Sequence, residues 1–433
     1  PYFAAMSRNI RDSQSSATYY PNRVVTSNTA ILNATPTNGW GDFHTRISRL
    51  GNKMHFSRTN NVGGETSGAV AAVPYTGVAL ASGDNNVYEV SVRVKVCDAS
   101  VGLESNCVRY GSNYKPEGLI QKYASRMRYS AFGYLNDHSM TRDGGVLRAR
   151  QKFVGPYIPT FTTDNGWVNV SNPNREWDPA TGILVRNPDP DDAQATTDVI
   201  NNASYVIRDS GVINYINKFG QMTSQSHKNY DPVSELYYTA IRYLKNLGNV
   251  PAYTNLNGGS ASTNFNYADG FPVITSWNDP IQYRCQNNAI LGIGDVYTHR
   301  DKNLPGDGTS STDEPTKPAQ VSGDTTVNVR TATSKVAALQ GLSITTSAAS
   351  WSGRNNSAFI AGLAYDSHTR DLRPDATNPT LPGKQTVSTY WVDVRENQTL
   401  EPPSSNQYWL ATKFGGFDVP DDFDPYAATT TAL

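Results

Sequence analysis

The sequence predicts an α/β domain organised around a mainly parallel sheet. Helix-like and strand-like segments alternate along most of the chain, which is typical of this class. Residues 289–294, with the sequence AILGIG, form a short uncharged run of the kind found in strands buried on both faces in the middle of a parallel sheet. Asp295 follows directly and would stand at the carboxyl end of that strand, where ligands of such sheets collect.

The length and charge of the chain narrow the classes of protein it can belong to. A chain of 433 residues needs a layered domain with large insertions, or two domains. Its 37 basic and 38 acidic residues nearly cancel, so charge gives no argument for binding nucleic acid or an anionic membrane. No apolar run reaches the roughly 18 residues of a membrane span.

The composition favours an exported protein. Tyr, Gly, Asn, Ser and Thr are abundant, which gives a polar, loop-rich chain. The first residues lack the basic start and apolar centre of a signal peptide, so we expect a processed or truncated chain. Cys97 and Cys107 bracket nine residues and suit a local disulfide, with three reduced thiols as the alternative. Cys285, which is left over, is predicted to be buried as a small apolar residue.

The amino-terminal part divides at about residue 85. Residues 1–85 show little periodicity and are predicted to be an irregular, β-rich extension. Residues 87–97 alternate apolar and polar side chains and predict a half-buried strand. Pro116 should open a helix. The apolar stripe of that helix would comprise Leu119, Tyr123 and Met127.

The rest of the chain, 86–433, is predicted to be one domain with insertions at about 155–205 and 303–345. Strands are expected at 127–134, 145–153 and 386–394, and helices at 211–219, 233–247, 356–365 and 407–414. Segments 155–205, 255–266 and 304–334 are polar and weakly periodic, and are predicted to lack regular structure.

Six long and unusual segments point to a family. They are YKPEGLIQKYASRMRYSAFGYL, RDGGVLRARQKFVGP, DPVSELYYTAIRYL, NAILGIGDVYTHRDKNLPG, LAYDSHTRDLRPD and TYWVDVRENQTLEPPSSNQYWLATKFGGF. In this order they resemble the amino-terminal region of the PilY/PilC family of type IV pilus-tip proteins, over roughly residues 87–425.

The resemblance implies a fold and a function. The fold would be similar to a von Willebrand factor type A domain, a doubly wound, mainly parallel sheet, here with long loop and β insertions. The protein would be exported through the periplasm to the pilus tip, where it would support pilus assembly and adhesion. Its partners would be minor pilins of the tip and a receptor on a host cell or surface.

Type A domains often carry a metal-ion-dependent adhesion site, and the sequence matches it only in part. Asp295 occupies the place of the third-loop Asp, while Asp231 and Ser234 lie where the second loop would be. The Asp-x-Ser-x-Ser loop is absent, since residues 12–16 read DSQSS without a preceding apolar strand. A hard cation needs oxygens from several loops, so the sequence favours no tightly bound metal, with Mg²⁺ or Ca²⁺ as the alternative.

Two further groups of residues can be interpreted in two ways. Residues 189–192, Asp-Pro-Asp-Asp, look superficially like a calcium loop, but lack its spacing and distal Glu, which favours a solvated acidic turn. His299 and Asp301 beside Asp295 could form a catalytic or metal cluster, but a single loop histidine is more often a surface residue.

An enzyme and a fibre protein are the alternative classes. Asp393 and Glu396 near Trp391 could suggest a secreted glycoside hydrolase, although nothing gives the two carboxyl groups opposite environments. The common catalytic motifs of hydrolases, metalloproteases and nucleotide-binding enzymes are absent from the sequence. The Tyr, Asn, Ser and Thr content would permit a self-assembling secreted surface protein, but no repeat of fixed period is present. The sequence therefore favours a non-enzymatic binding protein.

Overall fold

A computed structural model describes most of the chain beyond residue 95 and four short strands before it. The described residues are 45–50, 53–58, 78–79, 87–90, 96–138, 141–220, 228, 230–308, 314–343, 357–394, 406–420 and 423–427. They divide into two compact units, one ending at Glu104 and the other beginning at Ser105. The division predicted at residue 85 stays a prediction.

The first unit contains an antiparallel sheet. Its strands are β1 (Thr45–Leu50), β2 (Lys53–Arg58), β3 (Val78–Ala79) and β4 (Val87–Val90), in the order β1-β2-β4-β3. Strand β4 confirms the start of the strand predicted over 87–97, while residues 91–95 lie outside the described part.

The second unit mixes helices with small sheets, which confirms the α/β class. Its strands are β5 (Cys107–Tyr110), β6 (Asn113–Pro116), β7 (Tyr129–Gly133), β8 (Val146–Lys152), β9 (Tyr157–Thr162), β10 (Gly166–Ser171), β11 (Asn288–Gly294) and β12 (Val387–Asp393). Its helices are α1 (Leu119–Lys122), α2 (Pro190–Ile200), α3 (Val212–Lys218), α4 (Val233–Leu244), α5 (Pro251–Thr254), α6 (Ala261–Ala268), α7 (Ala319–Ser322), α8 (Val329–Gln340), α9 (Phe359–Thr369) and α10 (Gln407–Phe414).

Strands β11 and β12 form a parallel pair, in register from Asn288 opposite Val387 to Gly294 opposite Asp393. The pairs β5–β6, β7–β8 and β9–β10 are antiparallel. One parallel pair is consistent with a doubly wound, mainly parallel sheet but too small to establish it, so that finer prediction is taken up below as a proposal.

Helices α4, α9 and α10 bury the inner face of the parallel pair. In α9 every residue except His368 is buried, and α9 packs against α4, α8, α10 and β12. The indole of Trp391 stacks on the ring of Tyr408 from α10, with centroids 4.1 Å apart. The indole also fills the space above Gly292, where an added Cβ would lie 1.9 Å from its Cζ3 atom. A residue without a side chain is therefore required at the centre of β11.

The other face of the pair is exposed. Leu291 and Ile293 of β11 keep 65% and 64% of their surface accessible, and Tyr390 and Val392 of β12 are exposed beside them. The prediction that β11 is buried on both faces is therefore wrong. The helices that pack on this pair in the described part of the chain cover one side, so alternate side chains of β11 face outward.

Several predicted elements are confirmed. Strands β7, β8 and β12 and helices α3, α4 and α9 lie within or beside their predicted ranges, and α10 has the predicted bounds. Helices α4 and α9 bury nearly their whole surface, and β12 buries alternate residues at its start.

Other segments differ from the sequence prediction. The helix after Pro116 is a single turn, α1, and its predicted stripe is exposed, with Leu119 at 72%. Segment 155–205 contains the β9–β10 hairpin and α2, so it has regular structure; its status as an insertion stays a prediction. Helix α6 lies in the segment predicted as a polar loop, and α7 and the start of α8 lie in 304–334.

The cysteines give one confirmed and one wrong prediction. Cys97 and Cys107 are disulfide-bonded, as their spacing predicted. Cys285 is a free thiol and is exposed rather than buried. It lies in the turn before β11, outside the core that the apolar run of that strand suggested.

Candidate functional site

The loop that leaves β11 lies against the start of α4, and this is the edge at which Asp295 was expected. Oδ1 of Asp295 accepts a hydrogen bond from the backbone N–H of Tyr297, at 2.8 Å. Its carbonyl oxygen accepts one from the hydroxyl of Tyr408, at 2.7 Å. The half-buried Asp295 is therefore fixed at the end of the parallel pair by α10 and by its own loop.

Asp231 and His299 form an ion pair at this edge. Nδ1 of His299 lies 2.8 Å from Oδ1 of Asp231, and the His299 side chain is 47% exposed. The ring of Tyr230 contacts His299 edge-on, and the guanidinium of Arg300 lies 3.9 Å from the Tyr230 ring centroid. An acid, an imidazole, a phenol and a guanidinium thus share one accessible surface.

The pKa values of His299 and Asp231 depend on the charged groups around them. The hydrogen bond to Asp231 raises the pKa of His299 above its usual value, and the charges of Asp231, Asp295 and Asp301 add to that effect. Burial raises the pKa of Asp231; the bond from His299 opposes the rise and the charge of Asp295 increases it. Asp295 therefore lies close enough to Asp231 for its charge to act on the Asp231 carboxyl group.

Ser234 does not reach this surface but points inward to Asp301. Its hydroxyl donates to Oδ2 of Asp301 at 2.9 Å, and the hydroxyl of Thr298 donates to the same oxygen at 3.1 Å. The backbone N–H of Ser357 donates to Oδ1 at 2.5 Å. Complete burial outweighs these bonds and raises the pKa of Asp301 to about 7. Asp301 is thus a buried junction between the β11 loop, α4 and the segment before α9.

The predicted metal residues share one edge without converging on a point. Asp231 is paired with His299 and Ser234 with Asp301, while Asp295 binds the backbone of its own loop. Where the structure describes the chain, no group of three His, Cys, Asp or Glu ligand atoms within 4.8 Å includes Asp231 or Asp295. A metal held by Asp295, Asp231 and Ser234 stays a prediction, and residues 12–16 lie outside the described part.

The acidic segment 189–192 opens a helix instead of a turn. Pro190 is the first residue of α2, and Asp191 is exposed. Asp189 is buried, and its carboxylate is bound by the ammonium of Lys152. Asp192 forms an ion pair with Arg150 at 2.9 Å. The solvated turn is therefore wrong for Asp189, because lysine and arginine side chains neutralise this segment.

The residues considered for glycoside hydrolysis have structural partners where they are described. Oδ2 of Asp393 accepts a hydrogen bond from the side-chain amide of Asn406 at 2.7 Å, and Trp391 is stacked on Tyr408. Glu396 lies outside the described residues. The geometry thus gives Asp393 and Trp391 a role in holding α10 to β12.

Sequence reasoning missed three buried residues behind the edge, namely Asp143, Glu235 and Asn303. Glu235 lies in the first turn of α4, where an acidic residue is ordinarily explained by the helix dipole. The structure instead turns it into the core, where it is 0% exposed. The sequence of α4 could have indicated this, because its apolar residues leave no side of the helix on which a carboxylate would face solvent.

Comparison with known proteins identifies relatives of the chain. A family model described as "PilY1 homolog, second domain" matches residues 141–361. The chain is 49% identical over 421 residues to a Xylella fastidiosa protein named "Type IV pilus biogenesis factor PilY1 homolog". That match covers 94% of this chain and 33% of the relative, so the chain spans about a third of the relative's length. No solved structure matches. Among the helices described here, none is long and apolar enough to cross a membrane.

Proposed function

Because the chain belongs to the PilY1 homolog family, we propose that it is part of a type IV pilus biogenesis factor that acts by binding and not by catalysis. The name of the Xylella fastidiosa relative supports the role in pilus biogenesis. The hydrogen bond that Asn406 donates to Asp393 supports a non-catalytic role for that carboxylate, because it holds the start of α10.

In this proposal the protein acts outside the cell. The protein is exported through the periplasm and lies at the pilus tip, where it contacts minor pilins and a receptor on a host cell or surface. The disulfide at Cys97 and Cys107 supports an oxidising location, because such bonds persist mainly in exported proteins.

The domain that binds is proposed to have a von Willebrand factor type A-like, doubly wound sheet. The parallel pair β11–β12, with helices α8 and α9 between its strands in the chain, supports this fold, because parallel strands are joined through helices.

The observation that carries the binding proposal is the surface at the carboxyl end of β11. Asp231, His299, Tyr230 and Arg300 contact one another there and are partly accessible. Charged and aromatic side chains on loops of a rigid scaffold are typical of recognition surfaces. Receptor contact through these four residues needs no metal. A Mg²⁺ or Ca²⁺ ion at Asp295, Asp231 and Ser234 is the competing mode, in which Asp295→Asn would abolish adhesion.

The test uses the full-length protein in its own host. Deletion of the gene should reduce both surface pili and attached cells. The double substitution His299→Ala and Arg300→Ala should lower attachment while leaving the number of pili unchanged, and Lys384→Ala, a change at an exposed lysine, should alter neither. Unchanged piliation and adhesion in the deletion strain would overturn the proposal. Repeating copies along a fibre would favour the surface-fibre alternative, and turnover of a polysaccharide would favour the hydrolase.

A further inference from the structure

Three carboxylates meet in the interior of the second unit. Asp143, Glu235 and Glu314 each offer an oxygen atom, and these three atoms lie within 4.8 Å of one another. Asp143 is 2% exposed, Glu235 0%, and the Glu314 side chain 1%. Ionised carboxylates at this depth are strongly unfavourable unless positive charge compensates them.

The three residues come from distant parts of the chain. Asp143 precedes strand β8, Glu235 lies in the first turn of α4, and Glu314 lies between β11 and α7. Packing of separate elements brings their carboxylates together, so this cluster differs from an exposed run of acidic residues on one loop. It also differs from the surface of Asp231 and His299, because these carboxylates face the interior.

One oxygen of each carboxylate is already held by an N–H group. Asn303 donates from its backbone N–H to Oε1 of Glu235 at 2.7 Å and from its side-chain amide to Oδ2 of Asp143 at 2.6 Å. The backbone N–H of Lys302 donates to Oε1 of Glu314 at 3.1 Å. These bonds orient the carboxylates, in the way that outer hydrogen bonds position the ligands of a metal.

Two buried polar atoms beside the cluster lack a partner. Within the described residues, neither Oε2 of Glu235 nor the hydroxyl of Tyr253 has a hydrogen-bond partner. The Tyr253 ring packs on Gly144, next to Asp143, where an added Cβ would lie 2.0 Å from its Cδ2 atom. Burial, followed by the charges of Asp143 and Glu235, raises the pKa of Tyr253 well above its usual range. Buried oxygens without a hydrogen-bond partner are places where an ion or an ordered water is commonly bound.

The lysines near the cluster compensate it only in part. Nζ of Lys302 lies 3.7 Å from Oε1 of Glu314, a long ion pair. The ammonium of Lys317 donates to the carbonyl oxygens of Leu304 and Asp307, and that of Lys228 to the carbonyl oxygen of Arg142. These two ammonium groups thus donate their described hydrogen bonds to backbone oxygens and not to the three carboxylates.

We propose that Asp143, Glu235 and Glu314 bind a hard divalent cation inside the domain, with Ca²⁺ preferred over Mg²⁺. All the available ligand atoms are oxygens, which these ions prefer. Ca²⁺ suits the site better, because Mg²⁺ keeps several of its waters and the cluster is closed to solvent. This cation is a structural one that holds α4 to the segments around Asp143 and Glu314. The proposal stands independently of the receptor surface and of the pilus assignment.

The test is metal binding by the purified chain after exhaustive dialysis against a chelator. Calorimetric titration with Ca²⁺, and in parallel with Mg²⁺, should give one site per chain, and Ca²⁺ should raise the melting temperature by on the order of 5 °C. Glu235→Gln and Asp143→Asn should each weaken Ca²⁺ binding at least tenfold. Asp198→Asn, at an exposed residue of α2, should bind as the wild type does, and so should Asp295→Asn at the surface edge.

The variants are also informative if their stability changes. Removing one buried charge should lower the melting temperature in Ca²⁺ but leave it unchanged or raise it in chelator, because the neutral amide relieves repulsion when no ion is present. Equal changes in melting temperature with and without Ca²⁺ would overturn the proposal and indicate a proton-sharing carboxyl network. Failure of the wild-type chain to bind Ca²⁺ or Mg²⁺ at millimolar concentration would overturn it as well.

Discussion

The hydroxyl of Ser234 donates a hydrogen bond to Oδ2 of Asp301, and the two atoms lie 2.9 Å apart. Both side chains are buried, and the bond joins the first turn of α4 to the loop that leaves β11. Ser234, which lies where the second loop of an adhesion site would be, therefore holds a buried carboxyl group. The stability of this junction can be measured directly.

Ser234→Ala should destabilise the protein by about 1–3 kcal/mol, because it leaves a buried carboxyl group with one hydrogen bond fewer. The measurement is urea unfolding followed by circular dichroism. Ser204→Ala, a change at an exposed serine, is the matched control and should alter the unfolding free energy by less than about 0.5 kcal/mol. Equal stability of the two variants would show that the Ser234 bond contributes nothing.

The contribution of Asp301 to the stability of the protein should fall as pH rises from about 4 to above 7. The folded-state pKa of Asp301 is raised to about 7 from an ordinary value of 3.8, chiefly by burial. Between these two values the native state keeps a proton on Asp301 that the unfolded chain releases. The stabilisation is fully present below the pKa of the unfolded chain, and it is lost as pH rises through the pKa of the folded protein.

Asp301→Asn should remove this part of the pH dependence, which is on the order of a few kcal/mol. Urea unfolding at pH 5 and pH 8 of both proteins gives the comparison, because the other titrating groups are common to them. If wild type and variant lose the same stability between these two values, Asp301 is not the group that titrates.

Gly292→Ala should destabilise the protein by about 1–3 kcal/mol, because the new methyl group overlaps the indole of Trp391. The indole cannot move away without losing its stacking on Tyr408. Gly308→Ala is the control, since an added Cβ there meets nothing within 4 Å. Thermal unfolding of both variants tests the idea, and a Gly292→Ala protein as stable as the control would contradict the packing described here.

The native protein should react with one equivalent of a thiol reagent such as Ellman's reagent. Cys285 is free and exposed, while Cys97 and Cys107 are disulfide-bonded. Cys285→Ser should abolish the reaction without a reductant, and denaturation under oxidising conditions should reveal no further thiol. Three reactive thiols in the wild-type protein would contradict the disulfide.

Elements with a regular period could be predicted from the sequence. Helix α4 was located because its apolar residues recur at the spacing of a helix. Helix α6 was missed because its residues are mostly small and polar; its start depends on Ser260, whose hydroxyl accepts the N–H of Thr263. At Leu119 a long helix was predicted where only a single turn forms. The apolar residues there have helical spacing, but Leu119 is exposed and packs against no core.

The candidate site could be predicted only in its outline. The position of Asp295 after a parallel strand and its proximity to Asp231 followed from topology, because loops at one edge of a sheet are neighbours. The direction of each side chain did not follow. Ser234 and Glu235 are adjacent in sequence and both turn inward, and only the packing of α4 decides which partner each one meets.

The first turn of α4 links the edge at the carboxyl end of β11 to the interior carboxylate cluster. Ser234 fixes it to Asp301 and Glu235 fixes it to Asn303, two positions further along the same loop, while His299 at the surface belongs to that loop as well. If the edge binds a receptor as proposed, a force applied there would act on both of these buried hydrogen bonds. The force that the edge could withstand would then depend on the stability of the interior contacts.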